Sequence, residues 1–175
     1  MQQYMDSILA FVRVHQEFAA PLVFVLAFGE SLAFISLLLP ATVLLIGVGA
    51  LIGASGIDFW PIYFAAAIGA GLGDWLSYWL GVHYHAQIAR MWPLSKHPDL
   101  LPRGHRFFEK WGWPGVFIGR FFGPLRAAVP LVAGACEMPR TPFQIANWMS
   151  AFVWAGVILG PGAFGLTRIR DYFLW

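Results

Sequence analysis

Apolar residues in this chain come in long blocks with short polar breaks, and each block predicts an element. Residues 4–17 are the most mixed. Ile8, Phe11, Val12 and Val14 are apolar there while Asp6, Arg13 and Glu17 are polar, the pattern of an amphipathic helix lying in a membrane interface. They do not read as a signal peptide, because no Lys or Arg precedes the apolar run and Arg13, His15, Gln16 and Glu17 interrupt it. The apolar body begins at Phe18. A first run, 19–39, has the ~20 residues that a bilayer crossing needs; Glu30 interrupts it and Pro40 ends it. A second run, 41–54, is too short for a comfortable span and predicts a re-entrant or half-helix segment. Gly56-Ile57-Asp58 reads as a turn. A third run, 59–82, predicts a full span, with Pro61 near its start, where a missing N–H costs little.

The stretch 83–113 is the one extended polar region. Arg90, Lys96, Arg103, Arg106 and Lys110 are interleaved with Trp92, Phe107, Phe108, Trp111 and Trp113, which suits a segment on the membrane surface. A fourth apolar region, 114–135, contains Arg120 and Arg126 and is broken by Pro124 and Pro130. A fifth, 143–166, predicts a span bent at its end by Gly160-Pro161-Gly162. The chain thus divides into an interfacial N-terminal helix (1–17), a membrane domain (18–167) and a short C-terminal tail (168–175) whose aromatics suit an interface.

Two of the broken regions match. Gly29-Glu30 is followed by Pro40, and Gly119-Arg120 by Pro130, at the same spacing, and each region precedes a full-length span. That is the trace an inverted repeat with discontinuous helices leaves in a sequence, and such repeats meet at a midplane binding site.

Composition narrows the class. The chain of 175 residues is 59% hydrophobic and only 11% charged, with a mean hydropathy of +0.66. Soluble domains are about 45–50% apolar and about 25% charged, so this is an integral membrane protein. A net charge of +2 without a dense basic field argues against nucleic acid as a partner. The single cysteine, Cys136, allows no internal disulfide framework and no multi-cysteine metal site, and reads as a packing residue.

Against that scarcity of charge, Glu30, Asp74, Arg120 and Arg126 stand out, because they lie inside apolar segments. Each costs about 2.5–3.5 kcal/mol at a helix centre unless it faces a partner or water. One reading is an ion-pair network that locks the fold. The other is a site in which the arginines receive an anion and the carboxylates carry protons. Arginine suits phosphate because its planar fork binds two oxygens and stays charged. Half-helix N-termini add free N–H groups that favour anions. Burial penalises a charged carboxylate while a nearby arginine favours it, so an anion arriving at the arginine changes the proton affinity of Glu30 or Asp74. Thr42, just past Pro40, is placed to bond backbone freed at the break. Asn147, in the last span, needs an interhelical partner. His83 and His85 are spaced badly for one helical face and read as interfacial.

No motif points to catalysis or to a cofactor or metal. The chain has no H-E-x-x-H, no G-x-S-x-G and no G-x-x-x-x-G-K-[ST].

The block Gly119-Arg120-Phe121-Phe122-Gly123-Pro124-Leu125-Arg126, with Pro130, Ala133-Gly134, Met138-Pro139, Phe143, Asn147 and Trp154, resembles the signature of the DedA family of the VTT superfamily. Upstream, Gly69-Ala70-Gly71-Leu72-Gly73-Asp74 with Tyr78 and Gly81 is similar to that family's glycine-rich helix, and Glu30 to the acid of its first re-entrant segment. The resemblance covers roughly residues 28–165. It implies a polytopic inner-membrane protein with two oppositely oriented re-entrant hairpins, proton-dependent movement of undecaprenyl phosphate or other lipid phosphates, and essential roles for Glu30, Asp74, Arg120 and Arg126. The chain departs from the pattern at Pro40-Ala41-Thr42, where many members have P-G-[DE]. It also departs at Gly123-Pro124 for P-G, at Ala127 for a hydroxyl residue and at Val82 for a basic one. It stops soon after the last span, where many members carry a further helix.

The expectation is therefore an all-α polytopic protein of the bacterial inner membrane, with two inverted re-entrant hairpins packed with transmembrane helices. It acts as a transporter and not an enzyme. A lipid phosphate and protons are its partners, and homo-oligomerisation is left open. Arg120 and Arg126 bind the phosphate, Glu30 and Asp74 couple protons, Pro40, Thr42, Pro124 and Pro130 mark the hairpin breaks, and Gly119, Gly134 and Asn147 support them. The alternatives are a proton-coupled small-cation or drug antiporter and a non-transporting membrane scaffold.

Overall fold

A computed structural model of the chain describes residues 16–32, 41–85, 87, 100–122 and 125–173. Among these residues there are six α-helices and no strand. A short 3-10 turn, Gln16–Phe18, leads into α1 (Ala19–Ser31), followed by α2 (Ala41–Ser55), α3 (Phe59–His83), α4 (Leu100–Gly119), α5 (Leu125–Ala135) and α6 (Arg140–Phe173). Most of the interfacial helix expected at 4–17 lies outside the described residues, as do Pro40 and Pro124.

Two runs became helices almost residue for residue. The 41–54 run is α2, with 15 residues. The 59–82 run is α3, whose 25 residues make it about 37 Å long at ~1.5 Å per residue. Asp58 caps it, its carboxylate accepting from Trp60 N at 3.3 Å. In α6 the segment Arg140–Gly165 is long and apolar enough to cross a membrane.

Two expectations are corrected. The 19–39 run is not one crossing helix. Helix α1 stops at Ser31 after 13 residues, and Leu32 turns extended (φ −79°, ψ 124°), leaving a rod of about 20 Å against a hydrocarbon core of ~30 Å. The stop falls one residue past Glu30, whose carboxylate is drawn sideways to Arg126. Second, Pro130 is no break, since it sits inside α5. Pro161 likewise sits inside α6, which continues to Phe173 and takes in much of the expected tail. Helices packed in a bilayer tolerate proline because neighbours and local adjustment satisfy the freed backbone groups. The surface stretch and the next apolar region meet inside α4, which is two helical segments joined at a kink. Helix α4 runs through both and turns sharply at Gly112 (φ 50°, ψ −133°), a conformation that only glycine adopts at low cost.

Ordered contacts give the helix directions. Along α3 and α6, Phe59 meets Phe164 (ring centroids 5.0 Å apart), the Tyr63 hydroxyl donates to Phe152 O (3.0 Å), Asn147 Nδ2 donates to Gly71 O (2.9 Å), and Tyr78 stacks on Phe143 (4.1 Å). The two long helices are therefore antiparallel. Helix α1 runs parallel to α3, with Phe24 and Phe28 against Gly69 and Gly73, and α2 runs parallel to α6, with its residues 49 and 53 against Leu159 and Gly162. Hence α1 and α2 are antiparallel to each other. Helix α5 packs on the C-terminal half of α3, and α4 packs on α5 and α6. Exchanging α1 with α4, α2 with α5 and α3 with α6 maps the main helix contacts onto themselves, so the repeat read from Gly29-Glu30 and Gly119-Arg120 extends to the packing.

The apolar core is correspondingly double. Val23, Leu45, Ile62, Ala151 and Leu159 belong to one cluster, built by α1, α2 and facing parts of α3 and α6. Tyr78, Phe108, Val116, Ala133 and Phe143 belong to the other, at the opposite end of the α3–α6 pair. Between the two lies the stretch of α3 and α6 that carries Asp74 and Asn147. The helices touch through small residues, which lets backbones approach closely. The tightest seam is α3 on α5, where a Cβ on Gly134 would stand 2.1 Å from Tyr78 O.

Candidate functional site

The polar layer between the two cores is built from helix ends. Glu30 and Ser31 close α1, Thr42 is the second residue of α2, Arg120 follows the last residue of α4, and Arg126 is the second residue of α5. Asp74 projects from mid-α3. Asn147, Ser150 and Trp154 share one face of α6 by their i, i+3, i+7 spacing.

Every buried charge has a partner of opposite sign from the other half of the chain. Arg126 Nη1 donates to Glu30 Oε1 at 2.8 Å, and the Thr42 hydroxyl donates to the same oxygen. Arg126 Nη2 reaches Ser31 Oγ at 3.4 Å, and the guanidinium lies over the Trp154 ring, 4.3 Å from its centroid, a cation–π contact. Arg120 pairs with Asp74, donates to Asn147 Oδ1 at 3.3 Å and donates to the Asn147 carbonyl at 3.2 Å. The Ser150 hydroxyl donates to that same carbonyl at 3.0 Å, and Ser77 ties α3 to α1 by donating to Ser31 O at 3.2 Å. Glu30, Asp74, Arg120 and Arg126 are only 3–8% exposed.

The network is closed but not saturated. Both arginine forks are filled by the protein's own groups, and five cavities found among the described residues are lined by none of the four charges. Glu30 Oε2 is shielded and accepts no hydrogen bond among the described residues. Chemically, the cluster holds two arginine forks whose anion positions are taken by carboxylates, and one carboxylate oxygen that receives no donor among the described residues.

Glu30, Asp74, Arg120, Arg126, Thr42 and Asn147, all singled out from the sequence, meet here. Gly119 ends α4 beside Arg120 and packs on Val129. Pro130 is buried one turn beyond Arg126. Gly134 is elsewhere, on the α3–α5 seam. His83 is exposed, its Nδ1 bonded to Trp79 O at 2.9 Å. Sequence reasoning missed Ser31 and Trp154 as members of the site. Ser31 had a signal, a polar residue directly after the intramembrane acid. Trp154 had none beyond its place in the motif, because tryptophan in an apolar run reads as packing.

Residues 39–164 match the VTT domain family. The chain is 36% identical over 162 residues to the inner membrane protein YabI of Escherichia coli, covering 93% of this chain and 63% of that protein. It is 32% identical over 165 residues to a membrane protein of Buchnera aphidicola from Schizaphis graminum (90% and 66% covered). It is 33% identical over 128 residues to the inner membrane protein YghB of Escherichia coli (71% and 57% covered). The match thus spans less than two thirds of each of these relatives. No solved structure matches the chain.

Proposed function

This chain belongs to the DedA family of VTT-domain proteins of the bacterial inner membrane, and from that premise we propose that it carries a lipid phosphate, undecaprenyl phosphate or a phospholipid, across the bilayer together with protons. The observation that carries this reading is the single buried cluster in which two acids from the first half neutralise two arginines from the second. On this reading α1 with α2, and α4 with α5, are re-entrant hairpins entering from opposite faces. Their ends meet at the cluster and leave a short path for a head group, while the lipid tail stays in the bilayer.

Exchange supplies the coupling. A phosphate that takes the Arg126 or Arg120 fork displaces Glu30 or Asp74. A buried charge stripped of its partner costs about 3–5 kcal/mol, so the released carboxylate takes up a proton. Glu30 has an oxygen already placed for it in Oε2. When the lipid leaves, the arginine recovers its carboxylate and the proton is given up. The protein relocates its substrate and changes no covalent bond in it.

Arg126→Lys keeps the charge and loses the fork. In proteoliposomes carrying a panel of labelled lipid phosphates, with and without a pH gradient, this variant is expected to insert normally and to lose lipid movement. Wild-type rates in the variant would remove the arginine from head-group binding. A second reading, a lock on the fold, draws support from the pairing of all four charges within the protein. It requires that purified wild-type protein move no lipid in the same assay.

A further inference from the structure

Away from the charge cluster, a cleft of about 450 Å³ opens between the C-terminal end of α3 and the start of α6. Tyr78 forms its floor and is immobilised from two sides. Its hydroxyl donates to Met138 O at 2.5 Å and its ring stacks on Phe143. Trp75 and Trp79 form one wall, and both are exposed. His83 closes that wall with its ring 4.2 Å from the Trp79 ring and its Nδ1 held by Trp79 O, so the imidazole orientation is fixed and Nε2 faces away from that bond.

The other wall is α6. Arg140 is its first residue, is exposed, and has no ion-pair partner among the described residues. Gln144 stands one turn on, on the same face. Its Oε1 is shielded from solvent and accepts no hydrogen bond among the described residues, an arrangement that costs stability until a donor arrives. The first N–H groups of α6 add positive potential at the same end.

We propose that this cleft binds the head group of a glycerophospholipid from the surrounding leaflet. The phosphate sits on Arg140 at the α6 N-terminus. The hydroxyl or ammonium beyond it donates to Gln144 Oε1. The indoles of Trp75 and Trp79 flank the glycerol region, as tryptophans do at head-group depth. Position favours a lipid over a soluble anion, because α3 ends here and the polar stretch begins, which is where a bilayer presents its phosphates. The cleft shares no residue with the Glu30–Arg126 and Asp74–Arg120 network, so it serves as a second lipid site whatever that network transports.

The test is equilibrium binding of short-chain phospholipids to the purified full chain in detergent. Phosphatidylglycerol and phosphatidylethanolamine, which carry a terminal donor, are expected to bind. Phosphatidylcholine, which lacks one, is expected to bind about tenfold more weakly, the worth of one hydrogen bond to a buried acceptor. Arg140→Gln should weaken phosphatidylglycerol binding by about tenfold or more. Gln144→Leu should erase the preference over phosphatidylcholine while leaving phosphate binding, which a merely structural role for Gln144 would not do. The loss caused by Arg140→Gln should be the same size in an Arg126→Lys background, which separates this site from the transport proposal. Equal binding of phosphatidylglycerol and phosphatidylcholine to the wild-type protein would overturn the proposal, as would an Arg140→Gln variant that folds and binds like wild type. Inorganic phosphate binding as tightly as phosphatidylglycerol would make the cleft a free-anion site and overturn the lipid assignment.

Discussion

The first half of the molecule, α1 to α3, holds both buried acids, and the second, α4 to α6, holds both buried arginines. The halves share a packing plan, yet their charges are opposite and each pair crosses between them. Neither half can therefore bury its own polar residues alone. The repeat supplies the scaffold, and the sign difference makes the junction between halves the place where an ion pair can be opened. The halves also differ in surface. Helix α1 is apolar as far as Gly29, whereas α4 carries Arg103, Arg106, Glu109 and Lys110 on an arm that turns at Gly112 before it enters the core. The second half thus reaches the interface by an arm that α1 lacks.

The harshest way to break the comparison is at the equivalent seams. A Cβ on Gly134 or Gly81 would stand 2.1 or 2.2 Å from backbone oxygen of the facing helix, and on Gly53 or Gly162 of the other seam 2.5 Å from backbone oxygen or nitrogen. Backbone cannot yield as a side chain does. Gly134→Val and Gly81→Val should each cost about 3 kcal/mol or more, and Gly53→Val and Gly162→Val should cost nearly as much if the halves are equivalent. Gly165→Val, with open space around it, is the control. Recovery of folded monomer by gel filtration reads the effect. A tolerated Gly134→Val would mean that α3 and α5 do not pack as described.

The next break is electrostatic. Arg120→Leu leaves Asp74 buried and unpaired, and should destabilise the protein by about 3–5 kcal/mol. Adding Asp74→Leu removes the orphaned charge and should restore much of that loss while leaving transport abolished. Unfolding midpoints of the single and double variants check this. A double variant no more stable than the single would show that the pair does not act as a unit across the halves.

Much of this arrangement was legible in one dimension. The blocks at 41–54 and 59–82 became α2 and α3, because the bilayer leaves few ways to satisfy a backbone and apolar runs become helices. The four charges were legible for the same reason, since each is too costly to leave unpaired in such a segment. Their pairing was not. Spacing along the chain does not say that Glu30 chooses Arg126 and Asp74 chooses Arg120, which depends on α1 lying parallel to α3 and on α5 crossing it. The prolines misled for a related reason. Pro130 and Pro161 are breakers in isolated helices, but inside a packed bundle their cost is met by neighbours that the local sequence does not show.

The gentlest test concerns Thr42, the second residue of α2. Its hydroxyl donates to Glu30 Oε1, the oxygen already holding Arg126. An acid at this position would compete for Arg126, whereas a hydroxyl supports the existing pair and leaves Oε2 open. Thr42→Val keeps the shape and removes the donor. It should cost about 1 kcal/mol, leave the Arg126 contact in place, and slow proton-linked lipid movement less than any change to Glu30 itself. Thr42→Ser, which retains the donor, should behave as wild type. Among the described residues the second half has no counterpart, since Arg120 is steadied by the side chain and carbonyl of Asn147 and not by a hydroxyl from α5. If Thr42→Val abolished transport as fully as Glu30→Gln, the threonine would be part of the proton path itself, and the two halves would differ at the cluster in chemistry and not only in the sign of their charge.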